Sequence, residues 1–227
     1  MSVEVKSPIS KNDCFISKHN EQAFGVVGDI VTNDATCSQL VCIQGKAGVG
    51  KTFILKAIYS AIRVKNPDLS CAYIGAESMA CTLCSSIKDN SYADFVQRFT
   101  NLDLLLIDDI QYLQGRNNTQ VEVSFIIEKI LSKKGIVVVA CNSNPDVMFG
   151  TDERMRFILE RSRATEIKCP QKGEKEAFLI WILKMHGIKV DANLNQLITY
   201  LADTQSCNLR ELYRTIWTVI EYKTQGE

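Results

Sequence analysis

The chain has 227 residues, in which 26 Lys and Arg side chains are balanced by 26 Asp and Glu side chains. This length accommodates one α/β core and a small second domain, and the zero net charge argues against a protein that holds duplex DNA by charge alone. The sequence has no apolar signal segment, no run of membrane-spanning length and no disulfide-like cysteine spacing, which predicts a cytoplasmic protein without membrane contact.

Apolar runs and helical periodicity alternate over most of the chain, after a polar arm predicted over residues 1–13. Five stretches have the composition of strands: residues 40–43, 71–75, 102–107, 136–141 and 165–168. Helices are predicted over residues 17–30, 91–99 and 119–132, and from Lys51 onward. Strands that alternate with helices favour right-handed crossovers, so we expect a parallel sheet covered on both faces.

The composition changes after Pro170, and no strand pattern follows it. Asp191 is placed to cap a helix, and Asn208 with Glu211 resembles a capping box. The sequence therefore predicts an αβα domain over residues 14–170 and a small helical domain over residues 171–227. The three helices of this second domain are expected over residues 174–186, 192–203 and 208–223.

A glycine-rich loop stands between the first predicted strand and the following helix, with the pattern Gly-x-x-x-x-Gly-Lys-Ser/Thr. Its residues are Gly45, Lys46, Ala47, Gly48, Val49, Gly50, Lys51 and Thr52, and Phe53 follows them. In this pattern backbone N–H groups and a helix N-terminus surround a phosphate. Lys51 would reach the β- and γ-phosphates and the Thr52 hydroxyl would bind Mg²⁺, so the motif predicts an ATP or GTP site. A glycine turn that matches by chance is the alternative, which the flanking strand and helix disfavour.

Two adjacent carboxylates follow the third predicted strand. At the end of a strand beside a phosphate loop, Asp108 is placed to hold Mg²⁺ together with Thr52, and Asp109 to polarise an attacking water. Asn142 follows the next strand, where its amide would orient that water or contact the γ-phosphate. The alternative is turn chemistry, since acids often end a strand and Asn142 opens an Asn-Ser-Asn-Pro sequence.

The order of these motifs resembles that of the AAA+ ATPases. Gly45–Thr52, Leu105–Leu113 and Asn208–Leu212 are similar to the Walker A, Walker B and sensor 2 motifs of this class. The Walker B region most resembles the branch of the replication initiator DnaA and its shorter relative Hda. The resemblance covers about residues 14–223 and implies a P-loop αβα domain with a three-helix lid, which binds ATP or ADP with Mg²⁺.

The same resemblance assigns further site residues. Phe15 and Ile16 lie in a segment similar to the one that packs on the adenine in this branch. Arg210, inside the sensor 2 motif, would be the lid arginine that senses the nucleotide.

The resemblance does not assign the arginine finger to a single residue. Aligned without gaps, the family's finger position falls on Ile158. Arg154 and Arg161 are the neighbouring candidates for an arginine supplied to another subunit's nucleotide. The alternative is that these arginines form a solvated basic face.

An Hda-like protein regulates replication initiation by promoting ATP hydrolysis on DnaA. The resemblance therefore implies AAA+ contacts with DnaA or with a second copy of this chain, and the sliding clamp as a further partner. Residues 1–13 contain no Gln-x-x-Leu-Phe clamp peptide. The chain ends at Glu227 without a helix-turn-helix region, so no sequence-specific duplex DNA binding is expected. A helicase loader of the DnaC/IstB type and an adaptor that holds ADP and hydrolyses little remain as alternatives, since intact Walker motifs permit hydrolysis without proving it.

Overall fold

The computed structural model describes residues 14–32, 38–142, 152–204 and 208–225, and the predicted arm over residues 1–13 lies outside them. At its centre is a five-stranded sheet in which every neighbouring pair of strands is parallel. The strands are β1 (Leu40–Gln44), β2 (Cys71–Gly75), β3 (Leu104–Asp108), β4 (Ile136–Cys141) and β5 (Arg163–Glu166). They lie in the order β2-β3-β4-β1-β5, so the predicted parallel α/β sheet is confirmed.

Helices cover both faces of the sheet and continue after it. They are α1 (Glu21–Thr32), α2 (Lys51–Lys65), α3 (Ala76–Lys88), α4 (Tyr92–Thr100), α5 (Asn117–Ser132), α6 (Glu153–Glu160), α7 (Lys172–Met185), α8 (Ala192–Thr204) and α9 (Leu209–Gln225). A 3₁₀ turn, Ile110–Leu113, follows β3. Within the described parts of the chain, none of these helices is long and apolar enough to cross a membrane.

Helix α1 begins at Glu21, four residues later than expected, because residues 18–20 form a turn, and three further elements also differ from the sequence expectations. Helix α3 was not predicted: two of the four buried apolar side chains at helical spacing, Ala76, Met79, Ala80 and Leu83, are alanines and give only a weak apolar stripe. Helix α6 is only eight residues long and depends on a local cap, in which the Asp152 carboxylate accepts the Arg154 N–H at 2.9 Å. Strand β5 lies two residues earlier than expected, since it is a polar edge strand in which only Thr165 is buried.

The two faces of the sheet form separate apolar layers. Along β3, Leu105 and Ile107 belong to the layer that includes α3, α4, α5 and α6, whereas Leu104 and Leu106 belong to the layer with α1 and α2. These four side chains are at most 2% exposed, and burial of each contributes about 1.5–3 kcal/mol. Burial on both faces explains why β3 is continuously apolar, and it fixes where Asp108 emerges at the end of the strand.

Helices α7, α8 and α9 pack around a third apolar cluster, in which Leu183 and Leu212 are fully buried. Gly187 ends the first of these helices with a φ of 71°, in the left-handed region that glycine tolerates. Asp191 caps the second by accepting the Leu194 N–H at 2.8 Å, as expected from the sequence. The three predicted C-terminal helices therefore form a bundle next to the sheet domain.

Candidate functional site

The glycine-rich loop connects β1 to α2 at the carboxyl edge of the sheet. The Gly45 N–H donates to the Cys141 carbonyl at 3.3 Å, which fixes the start of the loop against the end of β4. Gly48 and Gly50 have φ values of 80° and 113°, which favour glycine. Helix α2 begins directly after Gly50, and the first N–H groups of a helix have no partner inside it. The loop and helix start together are suited to bind a phosphate anion.

The loop also approaches the C-terminal helices, at Gly48. A Cβ on Gly48 would lie 1.8 Å from the Asn208 Oδ1, so any other residue at this position would displace the Asn208 side chain. The same Oδ1 accepts the N–H of Arg210 at 3.1 Å, and Arg210 lines the cleft above the loop. The predicted lid arginine and the phosphate loop therefore lie at one site.

Lys51 is buried inside the loop. Its Nζ donates to the Gly45 carbonyl at 2.6 Å and to the Lys46 carbonyl at 2.9 Å. Burial is the main cause that lowers the pKa of Lys51, and the positive charge of Arg210 adds to it, while Asp109 and Asp108 act in the opposite direction. An anion bound in the loop would stabilise this buried ammonium.

Asp108 is 4% exposed and is held by Tyr73, a strand residue that belongs to none of the sequence motifs. The hydroxyl of Tyr73 donates to the Asp108 Oδ2 at 2.9 Å. Burial and the neighbouring Asp108 raise the pKa of Tyr73, so the phenol remains a donor at neutral pH. The Asp108 Oδ1 is buried and has no hydrogen-bond partner among the described residues. A buried carboxylate oxygen left in this way fits a cation or a cation-bound water.

Asp109 and Asn142 are joined by a second unassigned residue, Gln111. The Asp109 backbone has a φ of 55°, and its Oδ1 accepts the Gln111 Nε2–H at 2.8 Å. The Gln111 Oε1 in turn accepts the Asn142 N–H at 3.3 Å. The carboxylate after β3 and the amide after β4 are thus brought to one sheet edge, as the parallel topology predicts, and both line the cleft.

A cleft of about 650 Å³ lies between the loop and the C-terminal helices, and Thr52 and Phe53 line it. Its apolar end contains Phe15, whose ring centroid lies 5.4 Å from that of Phe178 and 5.9 Å from that of Trp181. Further lining residues include Ala47, Val49, Lys56, Tyr112 and Tyr213. The expected segment therefore reaches the cleft through Phe15. The neighbouring Ile16 does not line it and is 43% exposed.

The sequence did not indicate that aromatic side chains of α7 belong to the site. Trp181 has the spacing of a core residue of the C-terminal helices, and it packs against that core while one part of it faces the cleft. Phe178 precedes it by three residues on the same helix. Only the position of α7 across the loop reveals their second role.

Of the candidate finger arginines, Arg154 lies on α6 and Arg161 directly follows it, and neither lines this cleft. Ile158, at the ungapped family position, is 5% exposed and belongs to the core. Arg154 forms an ion pair with Glu128, with its Nε donating to the Glu128 Oε1 at 2.9 Å. The Arg161 guanidinium lies 5.1 Å from the centroid of the Phe157 ring. An arginine that serves another subunit's nucleotide lies outside its own cleft, so both candidates stay predictions.

Comparison with known proteins was made on the sequence and on the fold. Residues 10–166 match the family model described as the Bacterial DnaA ATPase domain. The chromosomal replication initiator protein DnaA of Dechloromonas aromatica (strain RCB) is 25% identical over 209 residues, which are 92% of this chain and 44% of that protein. The chain thus spans less than half the length of this curated relative.

Solved structures agree with this match. Domain III of the Thermotoga maritima replication initiation protein DnaA superposes with a TM-score of 0.87 at 20% identity, over 97% of this chain and 93% of that one. AMPPCP-bound DnaA from Aquifex aeolicus gives a TM-score of 0.86 at 22% identity, over 95% and 66%. The DnaC helicase loader gives 0.56 at 16% identity, over 67% and 91%. By its sequence match over most of its length and by its fold, the chain belongs to the family of bacterial DnaA ATPase domains.

Proposed function

We propose that the cleft binds ATP or ADP with Mg²⁺, and that the chain regulates replication initiation by acting on DnaA in the manner of Hda. The observation that carries the nucleotide part is the convergence of Lys51, Asp108 and Asp109 on the glycine loop. This convergence occurs at the carboxyl edge of a parallel sheet, where open α/β sheets bind their ligands. Phe15, Phe178 and Trp181 would accept the base at the apolar end of the cleft.

The oxygen donors present fit a hydrated Mg²⁺. Asp108 keeps one buried oxygen without a partner in the described part of the chain, and Thr52 stands in the first turn of α2. Carboxylate, hydroxyl and water oxygens are the ligands that Mg²⁺ prefers, and a bound Mg²⁺ would neutralise phosphate charge. Tyr73 would keep Asp108 in place for this role.

Asp109 and Asn142 would orient an attacking water. Gln111 fixes both, because its amide bonds the Asp109 carboxylate on one side and the Asn142 backbone on the other. These groups permit ATP hydrolysis by this chain. Arg210 would contact the nucleotide and couple its presence to the position of the C-terminal helices.

The surface of α6 supports action on a second AAA+ subunit. Phe157 is 57% exposed there, with the Arg161 guanidinium packed on its ring. An arginine donated in trans to a γ-phosphate accelerates hydrolysis by about 10³-fold or more. Arg154 already forms an ion pair with Glu128, so Arg161 is the better candidate for the arginine that contacts the nucleotide of DnaA.

The deciding experiment measures phosphate release by DnaA of the same organism, with and without this protein, in the presence of DNA-loaded sliding clamp. We expect at least a tenfold stimulation, which is well below the usual arginine-finger effect of about 10³-fold. Arg161→Ala should reduce the stimulation, whereas Arg63→Ala, in the last turn of α2, should not. No stimulation by a protein that binds nucleotide would contradict the Hda-like role.

Two other functions fit the same cleft. A helicase loader is favoured by the shared fold of DnaC and would show nucleotide turnover that single-stranded DNA stimulates. A nucleotide-gated adaptor would retain ADP through purification and show negligible turnover. Nucleotide content of the purified protein and its turnover with single-stranded DNA separate these functions from each other.

A further inference from the structure

The chain segment that carries Phe15 forms a turn closed by Asn20. The Asn20 side chain accepts the Ser17 N–H at 2.9 Å and donates to the Phe15 carbonyl at 2.9 Å. Asn20 is 7% exposed, so these bonds are shielded from water. The turn therefore holds the backbone of Phe15 at a fixed place beside the cleft.

Glu174, in the first turn of α7, ties this turn to the C-terminal helices. Its Oε1 accepts the Ser17 hydroxyl and the His19 N–H, both at 2.9 Å, and its Oε2 accepts the Gln171 N–H at 2.8 Å. Burial raises the pKa of Glu174, but these three hydrogen bonds outweigh burial and hold the pKa below its ordinary value. The side chain is thus an ionised acceptor at neutral pH, and such hydrogen bonds are stronger than neutral ones.

His19 strengthens the same connection. It is 3% exposed, and its Nδ1 lies 2.6 Å from the Ser17 Oγ. Because the one Ser17 hydroxyl proton is directed to Glu174, the proton between Oγ and Nδ1 belongs to the imidazole. The His19 carbonyl also accepts the Lys168 N–H at 2.9 Å, so the turn is anchored to the chain after β5 as well.

Glu174, which holds the turn, and the aromatic side chains of the cleft lie on one face of α7. Glu174, Phe178 and Trp181 are spaced by four and then three residues, which places them in one row along the helix. The Phe15 ring contacts the rings of both Phe178 and Trp181. Without Glu174, only these ring contacts would hold Phe15 against α7, and the apolar end of the cleft would open more readily.

We propose that Glu174 is a positioning residue of the nucleotide site, which holds the Phe15 turn on α7 so that the aromatic end of the cleft closes over the base as one unit. Glu174 does not line the cleft and acts through Phe15. Its loss speeds nucleotide release more than it changes phosphate recognition. The inference rests on the proposed nucleotide binding and adds to it the group that controls release.

The test compares Glu174→Ala and Glu174→Gln with Glu176→Gln, a control two residues along α7. One measurement is the release rate of fluorescent mant-ADP after a chase with excess ADP, and the other is hydrogen exchange of the His19 and Gln171 amides without nucleotide. We expect at least tenfold faster release for Glu174→Ala, because the turn loses two hydrogen bonds to a charged acceptor and one such bond alone accounts for about tenfold. Glu174→Gln, which keeps one carbonyl oxygen, should be intermediate, and Glu176→Gln should match the wild type.

The proposal would be overturned if Glu174→Ala released mant-ADP at the wild-type rate while its His19 amide exchanged faster. The hydrogen bonds of Glu174 would then hold the turn without controlling nucleotide release. If Glu174→Ala does not fold, Ser17→Ala removes one of the three Glu174 hydrogen bonds together with the bond between Ser17 and His19, and should still speed release severalfold. Failure of the wild type to bind mant-ADP would instead remove the proposed function itself, while the amide exchange would still report the tie.

Discussion

Replacement of Lys51 by alanine perturbs the phosphate site at its centre. In the structure the ammonium bonds the Gly45 and Lys46 carbonyls at 2.6 and 2.9 Å. When a nucleotide binds, we expect Nζ to exchange these carbonyls for phosphate oxygens. Lys51→Ala therefore removes the new contacts and leaves the loop backbone free to keep its shape.

The magnitude follows from the hydrogen bonds exchanged. Each bond from the ammonium to a carbonyl contributes about 1.5–3 kcal/mol, and a bond in which both partners are charged is roughly twice as strong. Exchange of two carbonyls for two phosphate oxygens therefore gains roughly 3–6 kcal/mol. The lower figure of about 3 kcal/mol corresponds to an increase in Kd of about 100-fold. Because burial of the ammonium is itself unfavourable, the free energy of unfolding should change by less than about 1 kcal/mol.

The assay is a titration of mant-ATP in the presence of Mg²⁺, followed by fluorescence anisotropy, with urea unfolding of each protein. Lys65→Ala, at the exposed end of α2, is the matched control and should keep the wild-type Kd. A folded Lys51→Ala protein whose Kd lies within threefold of the wild type would refute the assignment of the loop as a phosphate site.

Two further predictions concern groups that hold the site. Tyr73→Phe removes the hydroxyl that donates to Asp108. The Mg²⁺ concentration needed for tight nucleotide binding should then rise about tenfold, the effect of one hydrogen bond to a charged group, while the affinity without Mg²⁺ stays the same. An unchanged Mg²⁺ titration would contradict the role of Tyr73. Burial lowers the pKa of His19 below its ordinary value of 6.5, so the unfolded chain takes up a proton at a higher pH than the folded protein does. The contribution of His19 to the free energy of unfolding is therefore fully present above pH 6.5 and is lost as the pH falls through the folded pKa. Urea unfolding at a series of pH values should show this loss in the wild type and in His186→Gln but a flatter profile in His19→Gln, and equal slopes in all three proteins would count against it.

Much of the phosphate site is determined by the sequence, because its parts are local. The loop from Gly45 to Thr52 needs only backbone N–H groups, glycines at positive φ and a helix start, and all of these lie within eight consecutive residues. The strand that precedes Asp108 is buried on both faces, and its apolar run shows this directly. Parallel strands then bring Asn142 to the same edge, so the meeting of the two groups could be predicted without coordinates.

Only the tertiary structure decided which residues support these groups. The bond from Tyr73 to Asp108 depends on the pairing of β2 with β3, and the link through Gln111 depends on the conformation of one turn. The contact of Glu174 with the Phe15 turn joins residues more than 150 positions apart. The burial of Ile158 likewise follows from how α6 packs on the sheet layer.

These contacts share one physical cause. A motif is visible in a sequence when its residues are neighbours along the chain and the local backbone alone places them. Tyr73 is typical of any half-buried strand and Glu174 of any first helical turn, so neither pattern names its partner. The partner is selected by strand register and by the packing of α7 across the loop, which arise only when the whole chain folds.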